Sequence, residues 1–262
     1  MVRPLLRGGG RRPVDFRIDM AGRSGVYFVA DVHLGLGTHD PAEREERFVR
    51  FLKGIPRDTA QALYLLGDIW DFWYEYRDVI PREGTRVVAQ LIDLMDNGVQ
   101  VFFCSGNHDI WTYSYFESIG MKKFAQPYYA EIGGKTFCLG HGDLLGGART
   151  GYKLMLGIFR CRFLQRCFSL LHPWLAFRFG LGWSNSNRRS HKPYHFRGEE
   201  EPLYRFAVEQ EKVRHADYYV FGHFHDRVSM TLPSGSQFIV LKDWMEGGEP
   251  YGCFNGSSFE LR

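Results

Sequence analysis

Apolar and polar residues follow two rhythms along this chain. Short runs rich in β-branched, aromatic and Leu residues predict strands: VYFVAD (26–31), ALYLLGD (62–68), VQVFFCSG (99–106), KTFCLG (135–140), DYYVFG (217–222), RVSMTL (227–232) and QFIVLKDW (237–244). Helical spacing separates the first three, at Phe48, Phe51, Leu52 and Ile55, then at Val87, Val88, Leu91, Ile92 and Met95, where Asn97-Gly98 supplies a stop. The order β-α-β-α-β predicts a largely parallel central sheet. Turn residues at Gly133-Gly134, Pro233-Ser234-Gly235 and Asn255-Gly256 predict antiparallel hairpins later on.

Residues 149–201 break this rhythm and read as an insertion between two parts of a core, 25–148 and 202–262. Tyr152, Leu156, Phe159, Phe163, Leu170 and Trp174 follow a helical stripe flanked by Lys153, Arg160, Arg162 and Arg166. Pro173 permits a turn into a second helix through Phe177 and Trp183.

With 262 residues and 44% hydrophobic content, the chain suits one large domain, or one domain carrying an insertion. The net charge of +3 is unevenly placed: residues 1–24 hold six Arg against two Asp. That segment lacks the apolar core of a secretion signal and reads as a disordered basic arm, or as the product of an upstream start with Met20 as the alternative. The best membrane-span candidate, CFSLLHPWLAF, is only 11 residues long. Five cysteines with no CxxC pair argue against a disulfide framework and fit a reducing, cytoplasmic setting.

The chemistry lies where the strands end. The exits FVADVH, LLGDIWD, FCSGNHD, CLGHGD and VFGHFH each close an apolar run with Asp, Asn or His. Carboxyl ends of parallel strands form the ligand crevice of an α/β sheet, so these residues converge there. In extended chain, residues i and i+2 point the same way, so Asp31 with His33, and His223 with His225, are expected to aim jointly. The converging set is Asp31, His33, Asp68, Asn107, His141, His223 and His225. These mixed oxygen and nitrogen donors exceed the needs of one tetrahedral ion. They suit two divalent ions sharing a carboxylate, of the Mn²⁺, Fe²⁺ or Zn²⁺ type. Such a pair serves in-line displacement at phosphorus. Satisfied core residues and strand caps are the plainer reading for any one of them, but seven such groups buried without a metal would carry a severe desolvation cost.

Together DVH, GDxxD, GNHD, GHGD and GHFH resemble the calcineurin-like metallophosphoesterase superfamily over residues 26–262. The resemblance implies a four-layer α/β/β/α sandwich with a dinuclear centre, to which 149–201 would add a helical lid. It implies that Asp31, His33, Asp68 and His225 hold one ion, and that Asp68, Asn107, His141 and His223 hold the other, with Asp68 shared. It also implies that His108 and Asp109 form a His–Asp pair beside the substrate, with Asp109 orienting the imidazole.

Substrate choice falls to the insertion. From Arg149 to Arg197 inclusive stand ten Lys or Arg and ten Phe, Trp or Tyr, with no Asp or Glu. Such a span suits an anionic lipid surface better than nucleic acid, because its Phe and Leu are greasier than base stacking requires. A solvated cap is the third reading, weakened because solvated faces usually mix signs. DVHLGLGTHDPAEREERFVRFL, LGDIWDFWYEY, SGNHDIW, and HGDLLGGARTGYKL followed by LHPWLAF are similar to the UDP-2,3-diacylglucosamine diphosphatases of lipid A synthesis. That likeness implies hydrolysis of a UDP-linked diacyl sugar lipid to UMP and 2,3-diacylglucosamine 1-phosphate. The expected location is the cytoplasmic face of the inner membrane, peripherally attached, and no protein partner is implied. Two departures mark this chain. The best-known branch carries GNRD where Gly106–Asp109 read GNHD, and paired aspartates where this chain reads GGART. His108 also suits harder leaving groups, which keeps a nuclease, a cyclic-nucleotide phosphodiesterase or a nucleotide hydrolase open. Asn187, Arg188 and Lys192, with Asn107, His108 and His223, are the candidate substrate contacts.

Overall fold

Strand alternation sorts the side chains into layers. The computed structural model describes residues 15–20, 22–147, 150–190 and 194–262, with the backbone alone for 185–190. In chain order its strands are β1 (Phe16–Ile18), β2 (Gly25–Val29), β3 (Ala60–Leu66), β4 (Gln100–Cys104), β5 (Lys122–Phe124), β6 (Tyr128–Ile132), β7 (Lys135–Leu139), β8 (Tyr218–Phe221), β9 (Val228–Thr231), β10 (Gln237–Val240), β11 (Gly252–Phe254) and β12 (Phe259–Leu261). The α-helices are α1 (Pro41–Gly54), α2 (Thr85–Asp96), α3 (Tyr115–Ser118), α4 (Thr150–Arg160), α5 (Arg162–Phe168), α6 (Pro173–Ser190) and α7 (Pro202–Glu211).

Two six-stranded sheets form, ordered β12-β11-β2-β3-β4-β5 and β1-β6-β7-β8-β10-β9. β2, β3, β4 and β5 pair in parallel, as the β-α-β-α-β order predicts. All three predicted hairpins are present as antiparallel pairs: β6 with β7, β9 with β10, and β11 with β12.

Along β3, Leu63 and Leu65 pack outward against Phe48, Leu52, Val87 and Leu91 of α1 and α2. Ala62, Tyr64 and Leu66 turn inward between the sheets, joining Phe28, Phe102, Phe137 and Val220. On the second sheet Tyr219 and Phe221 face outward to Leu203, Tyr204 and Ala207 of α7. The result is the four-layer α/β/β/α sandwich, with one helix layer on each outer face.

Several edge elements depart from the reading of the sequence. Residues 16–18 belong to the stretch expected to be a disordered arm, yet they form β1 on β6. Ile18 is buried, and the Phe16 ring meets Phe102 edge-on at 5.3 Å while Lys122 sits 4.5 Å over its face. The rest of that arm before Asp15 lies outside the described residues.

The span expected to be an insertion contains α4, α5 and α6, and Pro202 opens α7. Its apolar stripe does not lie on one helix, because Cys161 is extended (φ −68°, ψ 110°) and breaks α4 from α5. Leu156 is buried, whereas Phe163, Leu170 and Trp174 are 71%, 86% and 62% exposed. Hydroxyl and indole donors strap these helices to the core: Tyr74 Oη to Gln165 O (2.6 Å), Tyr76 Oη to Leu171 O (3.1 Å), and Trp111 Nε1 to Phe159 O (2.9 Å). Among the described residues no helix is long and apolar enough to cross a membrane.

Candidate metal centre and adjoining cavity

The predicted strand exits gather at one end of the sandwich, but not by the extended geometry expected of them. Asp31 (φ 55°), His33 (φ 50°), Asp68 (φ 53°), His223 (φ 74°) and His225 (φ 57°) all occupy the left-handed region. Each strand therefore ends before its polar pair, and a sharp backbone turn aims the side chain. Two glycines make room. A Cβ on Gly106 would stand 2.1 Å from Asp68 Oδ1, and one on Gly222 would stand 2.5 Å from Asp31 Oδ2. Amides then fix the acids: His108 N donates to Asp68 Oδ1 and His223 N to Asp31 Oδ2, both at 2.8 Å.

The imidazoles share a common plan. Their Nδ1 atoms are tied outward, His33 to Asp71 Oδ1 (3.2 Å), His141 to Leu66 O (3.0 Å) and His225 to Asp243 Oδ2 (2.7 Å). Their Nε2 atoms turn to the acids: His33 and His225 lie 3.7 and 3.6 Å from Asp31 Oδ1, and His33 and His141 lie 3.8 and 3.4 Å from Asp68 Oδ2. Asn107 Oδ1 is 3.3 Å from His141 Nε2, and the His223 ring lies 5.0 Å from that of His141. Asp31, His33 and His225 form one group of potential ligand atoms, Asp31, Asp68 and His141 a second, and His33, Asp68 and His108 a third.

These residues fit a cation. Asp31 Oδ1 is wholly buried with no hydrogen-bond donor in reach. Its distances to the two Nε2 atoms are too long for hydrogen bonds, but suit donors around one ion whose bonds are about 2.1 Å. Burial pushes the Asp31 carboxyl up. Burial would raise Asp68 too, but His141 and His108 outweigh it and hold that carboxyl well below its usual range. Burial also pushes His223 down to about 3, reinforced by His141.

Asp109 is corrected by the structure. Its carboxylate does not reach His108; it accepts the amides of Gly106 (2.7 Å), Ile69 (2.9 Å), Trp70 (3.3 Å) and Asp68 (3.3 Å). Burial, with the neighbouring Asp68 charge, still pushes it up to about 7. His108 instead meets Asp71, with Nδ1 3.0 Å from the backbone oxygen and 3.5 Å from Oδ1. Asp71 is therefore a residue that sequence reasoning missed, although the second Asp of GDIWD was its signal. Asp243 was missed likewise, at the exit of β10.

Beside His108 and Asn107 opens a cavity of about 360 Å³. Its walls are apolar, with Phe72 and Trp111 from the core, Met155, Ile158 and Phe159 from α4, Phe168 from α5, and Phe179 and Trp183 from α6. On the outer surface of these helices, Phe163, Leu170 and Trp174 are exposed among Arg160, Arg162 and Arg166, and the exposed Arg178 stacks over Trp174 at 5.6 Å. Of the candidate substrate contacts, Asn107 and His108 line this cavity and His223 lies at the metal centre. Asn187 and Arg188 lie on α6, where only the backbone is described, and Lys192 lies outside the described residues.

The profile of the family described as Calcineurin-like phosphoesterase matches residues 25–227. A Porphyromonas gingivalis protein named UDP-2,3-diacylglucosamine hydrolase is 34% identical over 257 residues, covering 91% of this chain and 97% of its own length. Proteins of the same name from Neisseria gonorrhoeae and Xanthomonas axonopodis are 30% and 31% identical, covering 83% and 84% of this chain and 89% and 92% of their own lengths.

Proposed function

The chain belongs to the calcineurin-like phosphoesterase family, and we propose that it hydrolyses the diphosphate of UDP-2,3-diacylglucosamine, giving UMP and 2,3-diacylglucosamine 1-phosphate. The observation that carries this reading is the apolar cavity opening directly onto Asn107 and His108. A diacyl lipid needs greasy walls within reach of the phosphorus. The names of the relatives support the same substrate.

In this reading Asp31, His33, Asp68 and His225 hold one divalent ion, and Asp68, Asn107, His141 and His223 hold the other. Two such ions, Mn²⁺ by preference and Fe²⁺ or Zn²⁺ by the same donor chemistry, would acidify a water and neutralise phosphate charge. The chain's own residues do the rest. Asp71 fixes the His108 ring through Nδ1, which leaves Nε2 to meet the substrate phosphate. The leaving group is a phosphate monoester with a second pKa of about 6, so it departs with little protonation. The work left to His108 is to stabilise charge on the phosphate oxygens.

Residues 149–201 act as the lid, inserted between core segments 25–148 and 202–262. Its inner face receives acyl chains. Its exposed Phe163, Leu170 and Trp174, set among Arg162, Arg166 and Arg178, rest on the anionic cytoplasmic face of the inner membrane. The chain then works as a cytoplasmic, peripherally attached enzyme, with no nucleic-acid substrate.

The experiment is mass spectrometry of products formed from UDP-2,3-diacylglucosamine in H₂¹⁸O. Isotope in UMP is expected, as attack at the α-phosphorus requires. Isotope in the lipid phosphate, or cleavage of oligonucleotides with no UMP released, would overturn the reading.

A further inference from the structure

We propose that Asp243 is a positioning residue for the metal centre, and that buried Arg47 of α1 fastens the loop that carries it. The inference rests on the reading of His225 as a metal ligand. β10 ends at Val240, and the chain continues through LKDWMEGG without regular structure. Within this loop Asp243 is 8% exposed. Its Oδ2 meets His225 Nδ1 at 2.7 Å, and its Oδ1 accepts the Met245 amide at 3.1 Å. The next residue reaches the other side of the centre, since Trp244 N donates to Asp31 O at 3.1 Å. Two neighbouring loop residues thus hold both partners of the Asp31–His225 contact.

His225 depends on this support more than its companions do. The side chains of His33 and His141 are fully buried, whereas that of His225 is 29% exposed. Its ring stacks on His33 at 5.1 Å, which fixes the plane but not the rotation within it. A carboxylate on Nδ1 sets the tautomer and leaves Nε2 for the ion.

Past Leu241, whose amide donates to Phe221 O of β8 at 2.8 Å, the loop has no regular structure and holds Gly247 and Gly248, so it needs a brace. Arg47 supplies the brace. It is 5% exposed and donates to the carbonyls of Trp244 (2.9 Å), Glu246 (2.9 Å) and Gly248 (2.5 Å). Trp244 anchors the same loop in the core, with its ring 5.0 Å from Phe48 and 5.5 Å from Phe51.

The test is a calorimetric titration of metal-free protein with Mn²⁺ through a double-mutant cycle of Asp243→Ala and His225→Ala, with circular dichroism of each metal-free variant. Asp243→Ala is expected to weaken one of two Mn²⁺ sites by about 10- to 100-fold. Asp243→Asn keeps an oxygen to accept the ring N–H and recovers part of that loss. With His225 already removed, Asp243→Ala should cost nothing further, because the two act as one unit. Arg47→Lys should weaken the same site and no other. Wild-type Mn²⁺ affinity in Asp243→Ala, or an equal loss with and without His225, overturns the proposal. Should Asp243→Ala not fold, Asp243→Asn carried through the same cycle decides by the same criterion. If His225→Ala itself binds Mn²⁺ like the wild type, the metal-site reading has failed. A loss there beside an inert Asp243 sinks the positioning role alone.

Discussion

Asp109 follows His108 directly in the chain, yet its carboxylate turns away from that imidazole and is spent on four backbone amides. Adjacency suggests a catalytic pair, and the fold divides it. Asp109 ties the exits of β3 and β4 together, while His108 faces the cavity on a ring held by Asp71.

His108→Ala is therefore expected to lower kcat by about 10²–10³-fold with KM little changed, as loss of a donor to developing charge does. Steady-state kinetics on the diacyl substrate give the split. Because His108 also stands beside His33 and Asp68, a parallel Mn²⁺ titration separates loss of metal from loss of charge stabilisation.

Asp109→Asn presents an amide NH₂ to donors that need an acceptor. Leaving buried amides unsatisfied costs about 1–3 kcal/mol each. Urea unfolding of the metal-free protein should show a lower midpoint, with an unchanged slope. Unaltered stability would mean that Asp109 does not hold these loops.

Gly106→Ala places a methyl group where Asp68 Oδ1 now lies, 2.1 Å from the ideal Cβ. Asp68 must move, and a displacement near 1 Å in a reacting centre costs on the order of 100-fold in rate. The check is kcat/KM at saturating metal; a fully active variant would show that the carboxylate can shift freely.

Met155→Trp fills part of the cavity without touching the metal centre. KM for the diacyl substrate should rise about tenfold, the worth of roughly 1.4 kcal/mol of lost apolar contact. Turnover of a small soluble phosphodiester should stay as it was. Equal effects on both substrates would show that the cavity does not hold acyl chains.

Leu170→Glu with Trp174→Glu removes two exposed apolar side chains from the lid's outer face. Sedimentation with anionic phospholipid vesicles should fall by at least about tenfold, since each such side chain contributes about 1.5–3 kcal/mol when buried. Wild-type binding should itself weaken as salt rises, because the lid's arginines act through a screened field. Binding indifferent to both changes would place the membrane contact elsewhere.

The central strands and the donor set were legible because both leave local marks: an apolar run, then Gly, Asp, Asn or His. Asp71 was not, because its target His108 lies 37 residues away and only packing brings the two together. Asp243 escaped notice because its exit lacks the glycine that marked most of the others. β1, β5 and β12 are three residues each, too short to show a period, and β5 opens with two lysines. The span proposed as a lid stood out by composition. Its break at Cys161 did not, since neither Gly nor Pro stands there.

Five of the proposed metal donors occupy backbone that glycine would adopt at ease: Asp31, His33, Asp68, His223 and His225. For other residues that conformation costs about 1–2 kcal/mol apiece. Glycine at His33, His223 or His225 would relieve that strain while dismantling the chemistry, whereas at Asp31 or Asp68 it would also orphan the amide that the carboxylate accepts, which offsets the gain. Thermal endurance and catalysis compete here at the same addresses, so stabilising substitutions for this chain are best sought elsewhere.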